Sequence, residues 1–301
     1  MILQTGAQPD RATYLGGSDV AAILGISPWK TPLDVYLDKI EGSKPITEPG
    51  KLKILERGKR LEPYVLDMLC AEKKVELIGR NNRYIHGEFG FLAAEIDAET
   101  SDGRNVEAKT TADFYDRKQW GEEHSDSIPV YYTAQCMHGM MIKPAESCLM
   151  PVMLGIDDFR VYEVKRDEEL IVQIQEREVE FWDRIQRRDP PPATKVSDIF
   201  RLFEKDLGTS IEVDDEVADL VKKVKFMKSQ LKLKKSDLDD MEERLKLIFM
   251  EHQVITHKGK QLASWKSQGN SSFMIDAFRD KHPAICEKFM KRGTQRVLRI
   301  K

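Results

Sequence analysis

No apolar run in this 301-residue chain approaches the roughly 18 residues that would cross a bilayer. The start, Met1-Ile2-Leu3-Gln4-Thr5, has no basic region followed by a long apolar one. The expectation is a protein with no membrane association, staying in the cytoplasm. Cysteine is scarce: Cys70, Cys136, Cys148 and Cys286 are widely spaced and form no Cys-x₂-Cys pair. That argues against a zinc module and fits buried thiols in a reducing compartment. A surplus of positive charge is also missing, since the formal net charge is −3. Phosphate neutralisation by Lys and Arg normally dominates nucleic-acid affinity, so any DNA-facing basic surface has to be local. What is present is 41% hydrophobic residues, enough to bury a full core in one large domain with an appendage.

The most chemically informative stretch runs from Phe91 to Lys109. An apolar strand pattern reaching Asp97 is followed by a polar turn through Ser101, Asp102 and Gly103. Arg104-Asn105-Val106-Glu107-Ala108-Lys109 then completes a hairpin signature. Alternation along a strand puts Glu107 and Lys109 on one face, and the hairpin register can bring Asp97 beside them. Carboxylate oxygens suit hard divalent cations such as Mg²⁺, and a metal-bound water loses its proton more easily. The chemistry best matched is phosphodiester hydrolysis, although charged residues on a half-exposed hairpin also serve simply as a solvated face.

Around this hairpin the chain reads as helices, a sheet, then helices, which is an α/β pattern. Ser18 reads as the N-cap of a short helix ending at Gly25, and equally as an anion contact at a helix start. Thr31-Pro32 opens a helix that Gly42 can end. Residues 49–74 are helical in period, with a kink or restart expected near Glu62 from Gly58 and Pro63. Strands are expected at about 83–86, 91–98, 104–110, 148–155 and 159–165, with a helix opened by Pro129 between the third and fourth. His138 on that helix reads as a packed core histidine or a proton shuttle. A helix from Glu168 to Arg188 ends at Pro190-Pro191-Pro192, a boundary.

From Val217 to Ile248 apolar residues alternate three and four apart, a heptad seam interrupted at Lys234 on a helix of about 50 Å. Its first half is lysine-rich and its second half acidic. It serves either as packing against its own domain or as an arm for contact with a subunit, a partner or DNA. A hairpin around Lys258-Gly259-Lys260, a helix capped at Ser271 or Ser272, and a last strand at Arg296–Ile300 complete the tail. The expected division is 1–192 nuclease domain, 193–253 linker and long helix, and 254–301 small α+β tail.

Four segments in order, Leu15 to Gly25, Glu56 to Pro63, the Asp97–Lys109 hairpin and Tyr131-Tyr132-Thr133-Ala134-Gln135, resemble the YqaJ-like viral recombinase family. These proteins are relatives of the lambda-type exonucleases within the PD-(D/E)XK fold, a mixed central sheet flanked by helices. The resemblance implies a restriction-endonuclease-like core carrying a C-terminal helical arm and tail. It implies a metal-dependent enzyme, using Mg²⁺ with Mn²⁺ able to substitute, that degrades one strand of duplex DNA from its 5′ end and leaves 3′ overhangs. It further implies a homotrimeric ring acting on DNA ends beside a single-strand annealing protein, encoded by a phage or prophage in a bacterial host.

By position, the resemblance makes Asp97 and Glu107 metal ligands, with Glu62 and the Ala108 carbonyl completing the set. Lys109 and Gln135 attend the attacking water. Ser18 and Arg11 hold the 5′-terminal phosphate, and Lys53 lies near the DNA. Lambda-type enzymes carry a small hydroxyl residue two before the aspartate, where this chain has Glu95. That departure puts a phosphate contact in question, or adds a carboxylate to the metal site. Two other readings stay open: an endonuclease of the same fold, and a non-catalytic scaffold for DNA ends or partners.

Overall fold

The computed structural model describes residues 2–4, 9–42, 46–111, 117–123, 125, 127–203, 205–290 and 296–300. The chain forms two compact units, Met1–Leu202 and Phe203–Lys301.

In the first unit, α1 (Gly17–Ile23), α2 (Pro32–Glu41) and α3 (Pro49–Lys73) precede most of the sheet. The sheet itself comprises β1 (Ile2–Gln4), β2 (Leu77–Ile85), β3 (Ala93–Thr100), β4 (Asn105–Val106), β5 (Lys109–Thr111), β6 (Ser147–Leu154) and β7 (Asp158–Lys165). The helix α4 (Val130–Ile142) crosses between β5 and β6, and α5 (Glu168–Arg187) and α6 (Val196–Leu202) follow β7. β6 is central, and its residues are buried throughout, as expected of a strand covered on both faces. β7 runs antiparallel along one side of it, and β4 and then β5 run parallel along the other. β3, β2 and β1 extend the sheet beyond β4 by antiparallel pairing. Helices α1, α4 and α5 cover one face over a large apolar core. α3 covers the other, where Leu66 and Leu69 meet Ala98, Val106, Leu149 and Val161. This is the mixed sheet between helices that the α/β pattern of the sequence and the family resemblance lead one to expect.

The sequence-based boundaries need several corrections. β2 begins at Leu77 and runs well ahead of residue 83. The expected strand 104–110 is two short pieces, β4 and β5, because the backbone leaves β3 after Val106. α3 passes through Gly58 and Pro63 without a restart, so Glu62 lies mid-helix. Ser18 is not an N-cap: Gly16 holds that position, and its N–H donates to the side chain of Asp19 at 3.2 Å. The turn at Ser101–Gly103 forms as expected, with Gly103 at φ 92 and its N–H donating to Thr100 O.

The first unit continues past Pro192 because α6 is tied into it. Asp198 is buried, accepts from Thr31 Oγ1 at 3.1 Å, and takes the N–H groups of Thr194 and Lys195. Arg201 pairs with Asp34.

The second unit contains the long helix α7 (Asp215–Phe249), the hairpin β8 (Val254–His257) and β9 (Lys260–Ser264), then α8 (Ile275–Lys281) and α9 (Pro283–Phe289). At 1.5 Å per residue α7 spans about 52 Å. Asp214 caps it, accepting from Val217 N at 2.9 Å. The hairpin turns through Lys258 and Gly259, both at positive φ, the two-residue geometry favoured by right-twisted strands. Phe249 is buried near the Trp265 ring. Two expectations fail here: the tail helix starts at Ile275 after Met274, not from Ser271 or Ser272, and residues 296–300 form no strand.

Candidate active site

The site forms where β3 and the strand after it part. Ala98 pairs with Val106, so Asp97 stands opposite Glu107 in register. There the Glu107 N–H turns to Leu149 O, and the Ala108 N–H donates to Asp97 Oδ2 at 2.8 Å. A backbone amide that would have continued the ladder instead fixes the Asp97 carboxylate. Glu107 and Lys109 share a face as alternation requires, and Lys109 Nζ donates to Glu107 Oε1 at 2.5 Å. Gln135 reaches down from α4, its Nε2 donating to the same oxygen at 2.6 Å. This approach depends on Gly17 in α1, where a Cβ would stand 3.1 Å from Gln135 Cγ.

Electrostatics mark the same group. Burial and the nearby charge of Glu107 push the Asp97 carboxyl well above its ordinary range, with a smaller push from Glu62. Burial alone would lower the Lys109 ammonium, but Glu107 and Asp97 overcome it and hold the lysine protonated. A buried carboxylate, Glu107, and a half-buried one, Asp97, therefore share one ammonium, which leaves negative charge in want of a partner. Among the described residues no group of three or more His, Cys, Asp or Glu side chains stands in a metal-holding arrangement. The all-oxygen donor set of Asp97, Glu107 and the Ala108 carbonyl nevertheless fits a hard divalent cation of the Mg²⁺ kind, which commonly takes one or two carboxylates and completes its shell from water and substrate phosphate.

Asp97, Glu107 and Gln135 line a cleft of about 150 Å³ that also takes in Arg11, Ser18 and Glu95. Arg11 Nη2 donates to Ser18 Oγ at 2.8 Å and to Asp19 Oδ2 at 3.2 Å, and Arg11 Nη1 donates to Tyr14 Oη at 3.0 Å. Burial would raise the Asp19 carboxyl, but Lys39, whose Nζ lies 2.9 Å away, and Arg11 hold it below the usual range. Arg83 lies over the Tyr14 ring at 3.8 Å. Ser18 and Arg11 are thus brought together, with an exposed hydroxyl and a fixed guanidinium at one end of the cleft. Glu95 turns to this cationic end, 3.5 Å from Tyr14 Oη and 3.7 Å from Arg83. Lys53 does not join the cleft. It lies on the open flank of α3, beside Arg57, Arg60 and Tyr64.

His138 is fully buried, Nδ1 3.0 Å from the Glu178 carboxylate on α5 and Nε2 3.0 Å from Ala93 O. Both ring nitrogens face acceptors, so the ring carries both protons. Burial would lower its proton affinity, but Glu178 raises it above the usual value. His138 is the packed core histidine of the two readings, and it ties α4 to β3 and α5. Glu178 and Lys39 escaped the sequence reading, yet each carried a signal. Glu178 falls four after Ile174 and three before Phe181, and Lys39 four after Val35, so both are charges on otherwise buried helix faces. Cys136 and Cys148 are buried free thiols in the core.

Fold and site together define a mixed α/β protein with a carboxylate pair, a lysine and a glutamine at a fork in its sheet. Residues 8–146 match the model of the YqaJ-like viral recombinase domain, and the match encloses the site. Over 291 residues the chain is 26% identical to the uncharacterized protein YqaJ of Bacillus subtilis (strain 168), covering 94% of this chain and 89% of that one. Among solved structures, the alkaline exonuclease of Laribacter hongkongensis is similar at 15% identity and a TM-score of 0.49, over 60% of this chain and 91% of that one. A phage-related exonuclease from Haemophilus somnus 129PT is similar at 15% identity and a TM-score of 0.45, over 58% and 96%. No helix among the described residues is long and apolar enough to cross a membrane.

Proposed function

We infer that this chain is a nuclease of the phage recombinase kind, and more finely a Mg²⁺-dependent exonuclease that degrades one strand of duplex DNA from its 5′ end. The observation that carries the reading is the convergence of Lys109 and Gln135 on Glu107 Oε1, beside an Asp97 whose carboxyl is held at raised proton affinity by burial and by Glu107. The recombinase domain over residues 8–146 supports it.

Asp97, Glu107 and the Ala108 carbonyl are the groups that would hold the cation, with Glu62 added on the family resemblance alone. Bound there, Mg²⁺ or Mn²⁺ would supply Lewis-acid stabilisation at phosphorus and make a bound water more acidic. Lys109, kept protonated by its two carboxylates, works as a charged donor toward the phosphodiester and the attacking water. Gln135 orients that water through its amide, fixed by Glu107. Arg11 and Ser18 receive the 5′-terminal phosphate through charge-assisted bonds that a terminal hydroxyl would not make. A homotrimeric ring, a single-strand annealing partner and a setting in the bacterial cytoplasm belong to the same proposal and rest on the family resemblance.

The test is a linear duplex labelled at the 5′ or 3′ end, run beside a covalently closed circle. Early release of the 5′ label with an intact circle is expected. Nicking of the circle would make the enzyme an endonuclease, and early release of the 3′ label would reverse the polarity.

A further inference from the structure

The chemistry above leaves unused a group of aromatic residues beside Lys109. Trp29 sits in the turn between α1 and α2 and is 64% exposed. Its backbone is pinned: Ser27 Oγ accepts from the N–H groups of Trp29 and Lys30, each at 3.2 Å, and Thr31 then caps α2. The indole is braced against the first turn of α4, 4.9 Å from the Tyr131 ring at 74° and 6.3 Å from the Tyr132 ring. Tyr132 in turn lies 5.0 Å from Lys109 Nζ. A continuous run of ring contacts therefore leads from an open indole to the ammonium of the site.

A single exposed apolar side chain carries no meaning by itself. Here rigidity and position add to exposure. The pinned backbone and the contacts with Tyr131 and Tyr132 place the ring before any ligand arrives, which lowers the ordering cost of binding. The edge-on contact with Tyr131 leaves most of the indole open. A phosphodiester engaged by Lys109 also carries a base on its adjoining sugar, and the aromatic run starts at that lysine. Every nucleobase offers a π-face, so such a surface takes bases with little sequence preference.

We propose that Trp29 is the stacking platform for the terminal nucleobase of the strand being cut, a base subsite that holds the strand end while its phosphodiester lies against Lys109 and Gln135. The proposal rests on the nuclease reading and adds to it a contact with the base. Trp29 positions substrate and takes no part in bond cleavage.

The experiment uses the full chain and two 5′-phosphorylated linear duplexes that differ only at the terminal residue of the cut strand, normal or abasic. The unmodified protein should lose about 5- to 100-fold in kcat/KM on the abasic end, the range of one base–aromatic stack. Trp29→Ala should show a loss of similar size on the normal duplex, mainly through KM, and no further loss on the abasic one. Trp29→Phe should keep most of the activity. Equal slowing of both duplexes by Trp29→Ala, or no slowing of either, overturns the subsite while leaving the nuclease reading standing. No cleavage of the normal duplex by the unmodified protein overturns both.

Discussion

Gln135 Nε2 lies 2.6 Å from Glu107 Oε1, the same oxygen that takes Lys109, so a helix amide and a strand ammonium are set against one carboxylate. With that oxygen shared, the orientation of Gln135 is fixed by the site it serves. Gln135→Ala should lower kcat by about 10²-fold, the usual consequence of removing one preorganised donor. Metal affinity should stay close to that of the unmodified protein, measured by calorimetry with Mg²⁺ or Mn²⁺. Loss of metal binding instead would make Gln135 a support for Glu107.

Asp97 should cost stability at neutral pH. Its carboxyl has a raised folded-state pKa, so its favourable contribution is complete below the unfolded value near 4 and is lost as pH rises through the folded value. Asp97→Asn, which keeps an oxygen for the Ala108 N–H, should raise Tm at pH 7, and the gain should vanish near pH 4. Each kcal/mol moves Tm by roughly 2–4 °C in a unit the length of Met1–Leu202. A lower Tm at pH 7 would mean that the carboxylate is adequately paired as it stands.

Glu95 sits among the cations Arg11 and Arg83 at one end of the cleft, where its charge would weaken their hold on the proposed 5′-phosphate. Glu95→Ser should raise the rate ratio between 5′-phosphate and 5′-hydroxyl duplexes by about 2- to 5-fold, in keeping with a partly exposed charge. An unchanged ratio would place the terminal phosphate elsewhere.

A chain ending after Leu202 should fold and cut DNA, whereas one ending after Pro192 should be markedly less stable. The shorter piece loses Asp198, leaves the Thr31 hydroxyl without that partner and uncovers apolar surface packed by Leu202. Thermal melts of the two pieces, side by side, check this. Equal stability would show that α6 adds nothing to the unit.

The sheet hairpin was legible because alternation and the polar turn at Ser101–Gly103 are local signals, and α4 and α5 were legible from Pro129 and a 3.6-residue period. Glu107, Lys109 and Gln135 meet because the first two lie two apart where β4 gives way to β5 and the third lies in the second turn of α4, placed over them. What the sequence hid was pairing between distant elements. Lys39 meets Asp19, 20 residues away, and His138 meets Glu178, 40 residues away. Each charge is visible on an apolar helix face, but no local rule names its partner. Ser18 misled because its neighbour Asp19 takes the capping bond while the hydroxyl turns to Arg11. Arg296–Ile300 has strand-forming residues and no strand, since that state needs a pairing edge that residue preference cannot supply.

The most direct test of the central claim is the rate at which the full chain hydrolyses a 5′-phosphorylated linear duplex, read with Mg²⁺, with a chelator, and for Asp97→Asn with Mg²⁺. Release of nucleotides should depend on the metal and fall at least about 10³-fold in the variant, which remains folded and DNA-binding. Cleavage that persists in chelator, or in Asp97→Asn at near the unmodified rate, would contradict the assignment of Asp97 and Glu107 as the metal-holding pair of a nuclease.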